Sequence, residues 1–148
     1  SKAVDIPVIA AGGIATGRQM LAALVLGASA VQIGSRFVAS VEASCHNNFK
    51  NAVIDAIEGE TMLSLKALTP VRLLKNNFYQ QVQQAESICA SKKQLEELLG
   101  RGRAKKGMFE GNMDDGELEI GQVSSMINNI KPAAEILNEI WMEYNDLL

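Results

Sequence analysis

Apolar positions along this chain follow two rhythms, one of short unbroken runs and one of helical spacing. Residues 6–11, IPVIAA, form a continuous apolar run with β-branched members. Such a run predicts a strand buried on both faces, as in a parallel sheet. Gly12 and Gly13 break it. Thr16 and Gln19 then have the spacing of a capping box, so a helix is predicted from about Gly17. Met20, Leu21, Leu24 and Val25 give that helix an apolar face, and Gly27 is placed to end it. Residues 30–34, AVQIG, repeat the opening pattern as a short strand ending in glycine. Strand, helix and strand within so short a span predict a βαβ unit.

Further on, Phe49, Val53, Ala56 and Ile57 share one face of a helix predicted over residues 48–58. Residues 61–68 alternate in a way that leaves a strand and an extended connection both open. Pro70 holds Thr69 extended within TPVRLLKN, and a helix is predicted over 77–88. Ser91 and Gln94 make a second capping box, opening a short helix that Gly100 closes. The segment RGRAKKGMFEGNMDDGELEIGQ carries five of the twelve glycines, with a basic block ahead of an acidic one. It reads as a long functional loop or a small lobe, not as core. A helix is predicted near 123–129, and Pro132 takes the favoured first position of the last one. There Ala133, Ile136, Leu137, Ile140, Trp141 and Tyr144 form a stripe suited to core or to a subunit interface.

Composition narrows the class. The chain has 148 residues, 47% hydrophobic and 21% charged, as one globular unit would. A net charge of −3 argues against a dedicated nucleic-acid binder. No apolar stretch approaches the roughly 20 residues of a membrane span, and SKAVDIPV lacks the regions of a secretory leader. Cys45 and Cys89 have no metal-binding spacing and read as free thiols in a reducing cytoplasm. No serine–histidine–acid set and no metal cluster can be assembled.

The chemistry that stands out is the pair of glycine endings. Ligands of parallel sheets gather at the carboxyl ends of strands. A phosphate dianion needs converging backbone N–H groups and a helix N-terminus aimed at it, and a Cβ on those residues would block the approach. Gly12 and Gly13 alone could merely turn the chain. With Gly34 and Ser35 one βαβ unit later, the pair points to a phosphate site, the Ser35 hydroxyl adding a donor.

The stretch AAGGIATGRQMLAALVLGASAVQIGSRFVAS resembles the signature of a flavin-dependent (β/α)₈ barrel family. That family contains enoyl-acyl-carrier-protein reductase II and nitronate monooxygenase. GSRF stands here where the family has a GTRF-like strand end, keeping the hydroxyl. The likeness continues more weakly through PVRLLKN and residues 110–122, where it leans towards the reductase branch.

The resemblance implies an α/β fold, the C-terminal part of a TIM barrel. Residues 1–60 would be its last two βα units, 61–122 a lobe or lid over the barrel mouth, and 123–148 helices packing back on the barrel. It implies that Gly12, Gly13, Gly34 and Ser35 hold the phosphate of FMN. NADH or NADPH would serve as co-substrate, and an acyl carrier protein or acyl thioester as partner. A homodimer is expected of the complete protein. The family's active-site histidine has no counterpart. His46 is the lone histidine, placed to cap a helix or lie on the surface. Arg36 suits a structural salt bridge better than phosphate neutralisation. Arg72 and Lys75 would lie at the active-site rim, as contacts to a pyridine-nucleotide phosphate or as solvated charge. Arg101, Arg103, Lys105 and Lys106 form either a solvated loop or a docking surface for the acidic carrier protein. Gln122 would approach the flavin or close the lobe. A barrel needs about 250 residues, so the chain alone is expected to be inactive without its N-terminal half.

Overall fold

The computed structural model describes residues 3–148. Ser1 and Lys2, which open the first predicted unit and the stretch read for a leader, lie outside the described residues.

Strand β1 (Ile9–Ala11) and strand β2 (Ala30–Gln32) pair in parallel, Ile9 opposite Ala30 and Ala11 opposite Gln32. Helix α1 (Gly17–Val25) connects them. Thr16 caps it, Oγ1 accepting from Gln19 N–H at 3.2 Å. The reciprocal arm of the box falls one residue early, Gln19 Oε1 accepting from Ala15 N–H at 2.8 Å. Gly27 ends the helix at φ +101°, a conformation that glycine takes without penalty. The expected two-sided burial of the first strand is not met: Ile9 is 59% exposed. Its sheet has only two strands among the described residues, so nothing covers its outer edge.

After β2 the chain turns at once into a four-residue helix, α2 (Ser35–Val38), and then α3 (Asn47–Asp55). Helix α3 is shorter than predicted because Ala56 goes extended at ψ 126°. Phe49, Val53 and Ala56 are buried, whereas Ile57, expected on the same face, is 68% exposed. Strands β3 (Thr61–Ser64) and β4 (Val71–Leu74) then form an antiparallel hairpin with Thr61 opposite Leu74.

Asn76 caps α4 (Asn77–Ser87), Oδ1 accepting from Tyr79 N–H at 2.9 Å, while its Nδ2 donates to Met113 and Gly116 carbonyls. Helix α5 (Lys92–Leu99) carries the full Ser91–Gln94 capping box, and Gly100 follows it at φ +64°. Leu65, Leu73, Phe78, Val82 and Leu95 make one cluster between the hairpin and these helices.

The glycine-rich segment corrects its reading as non-core. It contains a π-helix (Lys105–Phe109), and Leu118 and Ile120 are buried in the main cluster with Phe49, Val53 and Leu74. It docks along β4: Leu74 N–H donates to Leu118 O and Ile120 N–H to Arg72 O. Gly107, Gly111, Gly116 and Gly121 serve close approach, and a Cβ on Gly116 would stand 2.2 Å from Gly107 Cα. A 3₁₀ turn (Gln122–Met126) replaces the helix predicted near 123–129. Pro132 occupies the N-cap of α6 (Ala133–Asp146), one residue before its expected place. Ile136 and Ile140 of the predicted stripe are buried, while Leu137 and Trp141 are exposed.

Candidate functional site

Both glycine clusters leave the parallel pair at its carboxyl edge, because Ala11 and Gln32 are register partners. Gly12 and Gly13 lie at φ +86° and +71°, a turn that a side chain would strain. Gly34 differs, with φ −109°, so its backbone does not demand glycine. A Cβ built on any of the three meets no atom within 4 Å. Among the described residues, no protein group accepts from the N–H of Gly13 or Gly34. The space over these amides is open and donor-lined, which is what an oxyanion needs.

Helix α2 begins directly after Gly34. Barrels frequently complete a phosphate site with the N-terminus of a short extra helix after their last strands, and α2 stands in that position. Ser35 Oγ accepts from Gly121 N–H at 3.1 Å, which leaves its own proton free to donate. A Cβ on Gly121 would stand 2.6 Å from that oxygen. Gly121 therefore positions Ser35, a role that no local periodicity signals.

One groove is lined by Gly34, Ser35, Arg72, Glu119 and Gly121, and a second by Gly13, Gln19, Glu58, Gln122 and Met126. The Gly121–Gln122 step runs from one into the other. Arg72 is thus brought to the Gly34–Ser35 side, where its Nη1 donates to Thr61 O at 3.0 Å and Thr61 Oγ1 at 3.2 Å. Lys75 is exposed and lines neither groove.

The start of α1 is closed by protein. Gly17 N–H donates to Glu143 Oε2 at 2.7 Å, Gln19 N–H to Thr16, and Ala15 N–H to Gln19. These three amides are therefore spent within the protein. Arg36 also departs from expectation. It is buried, and its guanidinium donates to Asn129 Oδ1 at 2.7 Å, Asn129 O at 3.1 Å and Ala39 O at 3.4 Å. Neutral oxygens replace the expected salt bridge. Burial pulls its pKa below the usual arginine value, with Glu139 pulling the other way.

In the basic block, Arg103 donates to Leu98, Leu99 and Asp115 carbonyls and lies 4.5 Å over the Phe78 ring. Lys105 pairs with Glu110 at 3.3 Å and Lys106 with Asp115 at 3.6 Å. Arg101 is exposed and, among the described residues, has no such partner. His46 caps α3, its Nδ1 accepting from Asn48 N–H at 3.1 Å, beneath Gly111. Cys45 and Cys89 are free thiols. Glu117 is buried beside the π-helix. Burial, then Glu119, push its pKa up to about 6, with Arg103 opposing. Among the described residues, no group of three His, Cys, Asp or Glu could hold a metal ion, and no helix is long and apolar enough to cross a membrane.

A parallel strand pair ending in open glycine amides, with a short helix after the second strand, matches the arrangement at the carboxyl edge of (β/α)₈ enzymes. The chain superposes on FabK from Thermotoga maritima with a TM-score of 0.91 and 39% identity, covering 99% of this chain and 46% of that one. Against nitroalkane oxidase from Streptomyces ansochromogenes the TM-score is 0.74 at 32% identity, covering 98% and 41%. A "Probable nitronate monooxygenase" of Staphylococcus saprophyticus is 31% identical over 147 residues, 91% of this chain and 41% of that protein. Residues 1–143 match the family described as nitronate monooxygenase. The chain belongs to that family, whose members are flavin-dependent oxidoreductases. It has the α/β fold of the C-terminal part of such a barrel and spans less than half the length of these relatives.

Proposed function

We propose that this chain anchors the phosphate of FMN in an oxidoreductase that reduces the 2,3 double bond of enoyl thioesters, carried on an acyl carrier protein, with NADH or NADPH. The observation that carries the flavin reading is that Gly12, Gly13 and Gly34, at the carboxyl edge of the β1–β2 pair, each face open space, with Ser35 beside Gly34. These residues fit a phosphate: the N–H groups of Gly13 and Gly34 are unspent, and Ser35 keeps a proton to give. When bound, the flavin would supply the hydride chemistry. The chain's own part is to hold its phosphate end and, through Arg72 at the groove lip, to meet a further anionic group of substrate or co-substrate. Lys75, Arg101 and Arg103 enter as contacts to the nicotinamide or the carrier protein. Lys75 and Arg101 are more available than Arg103, which already spends its donors on carbonyls.

The reductase reading draws support from the higher identity and TM-score to FabK. A second reading, oxidation of alkyl nitronates with oxygen, is supported by the family match and the curated relatives' names. Turnover belongs on either reading to an enzyme with the barrel's other strands in place, as a homodimer in the cytoplasm, and the isolated chain is expected to be inactive. The test uses the chain with the remaining barrel strands supplied. NAD(P)H consumption with a crotonyl thioester supports the reductase. Oxygen uptake with a nitronate and no nicotinamide supports the monooxygenase.

A further inference from the structure

We infer that Glu143, on the last helix, is a positioning residue for the phosphate turn. The proposal rests on the flavin reading above and adds a residue far from the glycines in sequence.

The geometry runs from one residue to the next. Gly12 and Gly13 turn the chain, Ile14 and Ala15 bury their side chains, and Thr16 caps α1. Gly17 follows, and its N–H donates to Glu143 Oε2 at 2.7 Å. Gly17 also lies directly on α6: a Cβ there would come within 2.3 Å of Ile140 O and 2.4 Å of Tyr144 N. The turn is therefore fixed on one side by β1 and on the other by a helix 126 residues away. Glu143 Oε1 lies 3.9 Å from the Arg18 guanidinium, an exposed contact that contributes little.

The carboxylate has a second effect. An open helix N-terminus attracts anions, and here that end is filled by the protein's own anion. A phosphate near Gly13 cannot rotate towards α1 and compete for Gly17 N–H. It is left to the Gly13 and Gly34 amides and to Ser35. Glu143 in this way both braces the turn and selects which donors meet the phosphate.

The test uses the 148-residue chain and its Glu143→Ala and Glu143→Gln variants. Amide hydrogen exchange is followed at residues 12–19, and binding of FMN is compared with binding of riboflavin, which lacks the phosphate. The alanine variant is expected to speed exchange at Ala15 and Gln19, whose N–H groups donate to Gln19 Oε1 and Thr16 Oγ1, and to weaken FMN about tenfold, with riboflavin unchanged. The glutamine variant keeps an acceptor for Gly17 N–H and is expected to restore both. Wild-type exchange at Ala15 and Gln19 in the alanine variant would overturn the proposal, whatever the change in melting temperature. Equal weakening of FMN and riboflavin would overturn it too. If FMN leaves the Gly13 and Gly34 amides of the wild-type chain unperturbed, the flavin reading fails, and the exchange comparison still decides whether Glu143 holds the turn.

Discussion

At the scale of single residues, Gly13 and Gly34 make different predictions. Gly13 has a left-handed backbone, so Gly13→Ala is expected to cost about 1–2 kcal/mol of stability as well as FMN affinity. Gly34 has φ −109° and open space beyond it. Gly34→Ala is therefore expected to leave stability within about 0.5 kcal/mol while weakening FMN at least about tenfold. Denaturation and flavin titration of both variants separate a backbone requirement from a ligand requirement. A Gly34→Ala chain that binds FMN like the wild type would remove Gly34 from the anchor. Glu117 makes a pH prediction. Its pKa is raised to about 6 in the fold, from the ordinary 4.5, so the native state holds a proton that the unfolded chain releases. Stability contributed by the neutral carboxyl is present below about pH 4.5 and is lost as pH rises through 6. Glu117→Gln is expected to raise stability at pH 7, with the gain vanishing at pH 4.5. A gain independent of pH would mean that desolvation of the charge is not its cause.

At the scale of elements, α1 and α6 are held face to face through Gly17. Gly17→Ala puts a methyl into the α6 backbone and is expected to cost about 1–3 kcal/mol, read as a lower denaturant midpoint and faster exchange in both helices. An unchanged midpoint would show that the helices part without penalty. This pairing also marks the limit of what the sequence discloses. Thr16, Gln19, Ser91, Gln94 and the glycine stops act within a few residues, so their capping and termination are legible from spacing. The Gly12–Gly13 and Gly34–Ser35 endings are legible for the same reason. Gly121 under Ser35, Glu143 on Gly17 and Arg36 against Asn129 join residues 86 to 126 positions apart. No periodicity encodes them. The glycine-rich segment misleads because abundant glycine has two physical uses. Local freedom predicts a loop, whereas close backbone approach, as between Gly107 and Gly116, builds core.

At the scale of the whole molecule, the buried interior and the uncovered surface point in opposite directions. Two clusters are well packed around Phe49 and Phe78. The β1–β2 pair, by contrast, is two strands wide among the described residues, and such a pair presents open edges. Beside it, Met20, Val31, Ile33, Phe37, Leu137 and Trp141 line an apolar groove, with Leu137 60% and Trp141 55% exposed. Covering that groove removes apolar area from water at roughly 25 cal/mol per Å², a steady drive towards association. The chain is therefore expected to self-associate as its concentration rises. Trp141 is its lone tryptophan and reports directly on the groove: its emission should shift to the blue in step with the mass seen by sedimentation. Leu137→Glu is expected to keep the chain monomeric and the emission red at every concentration, without disturbing Ile136 and Ile140, which face the interior. Association that persists in Leu137→Glu with red emission would place the contact at the strand edges instead of the groove.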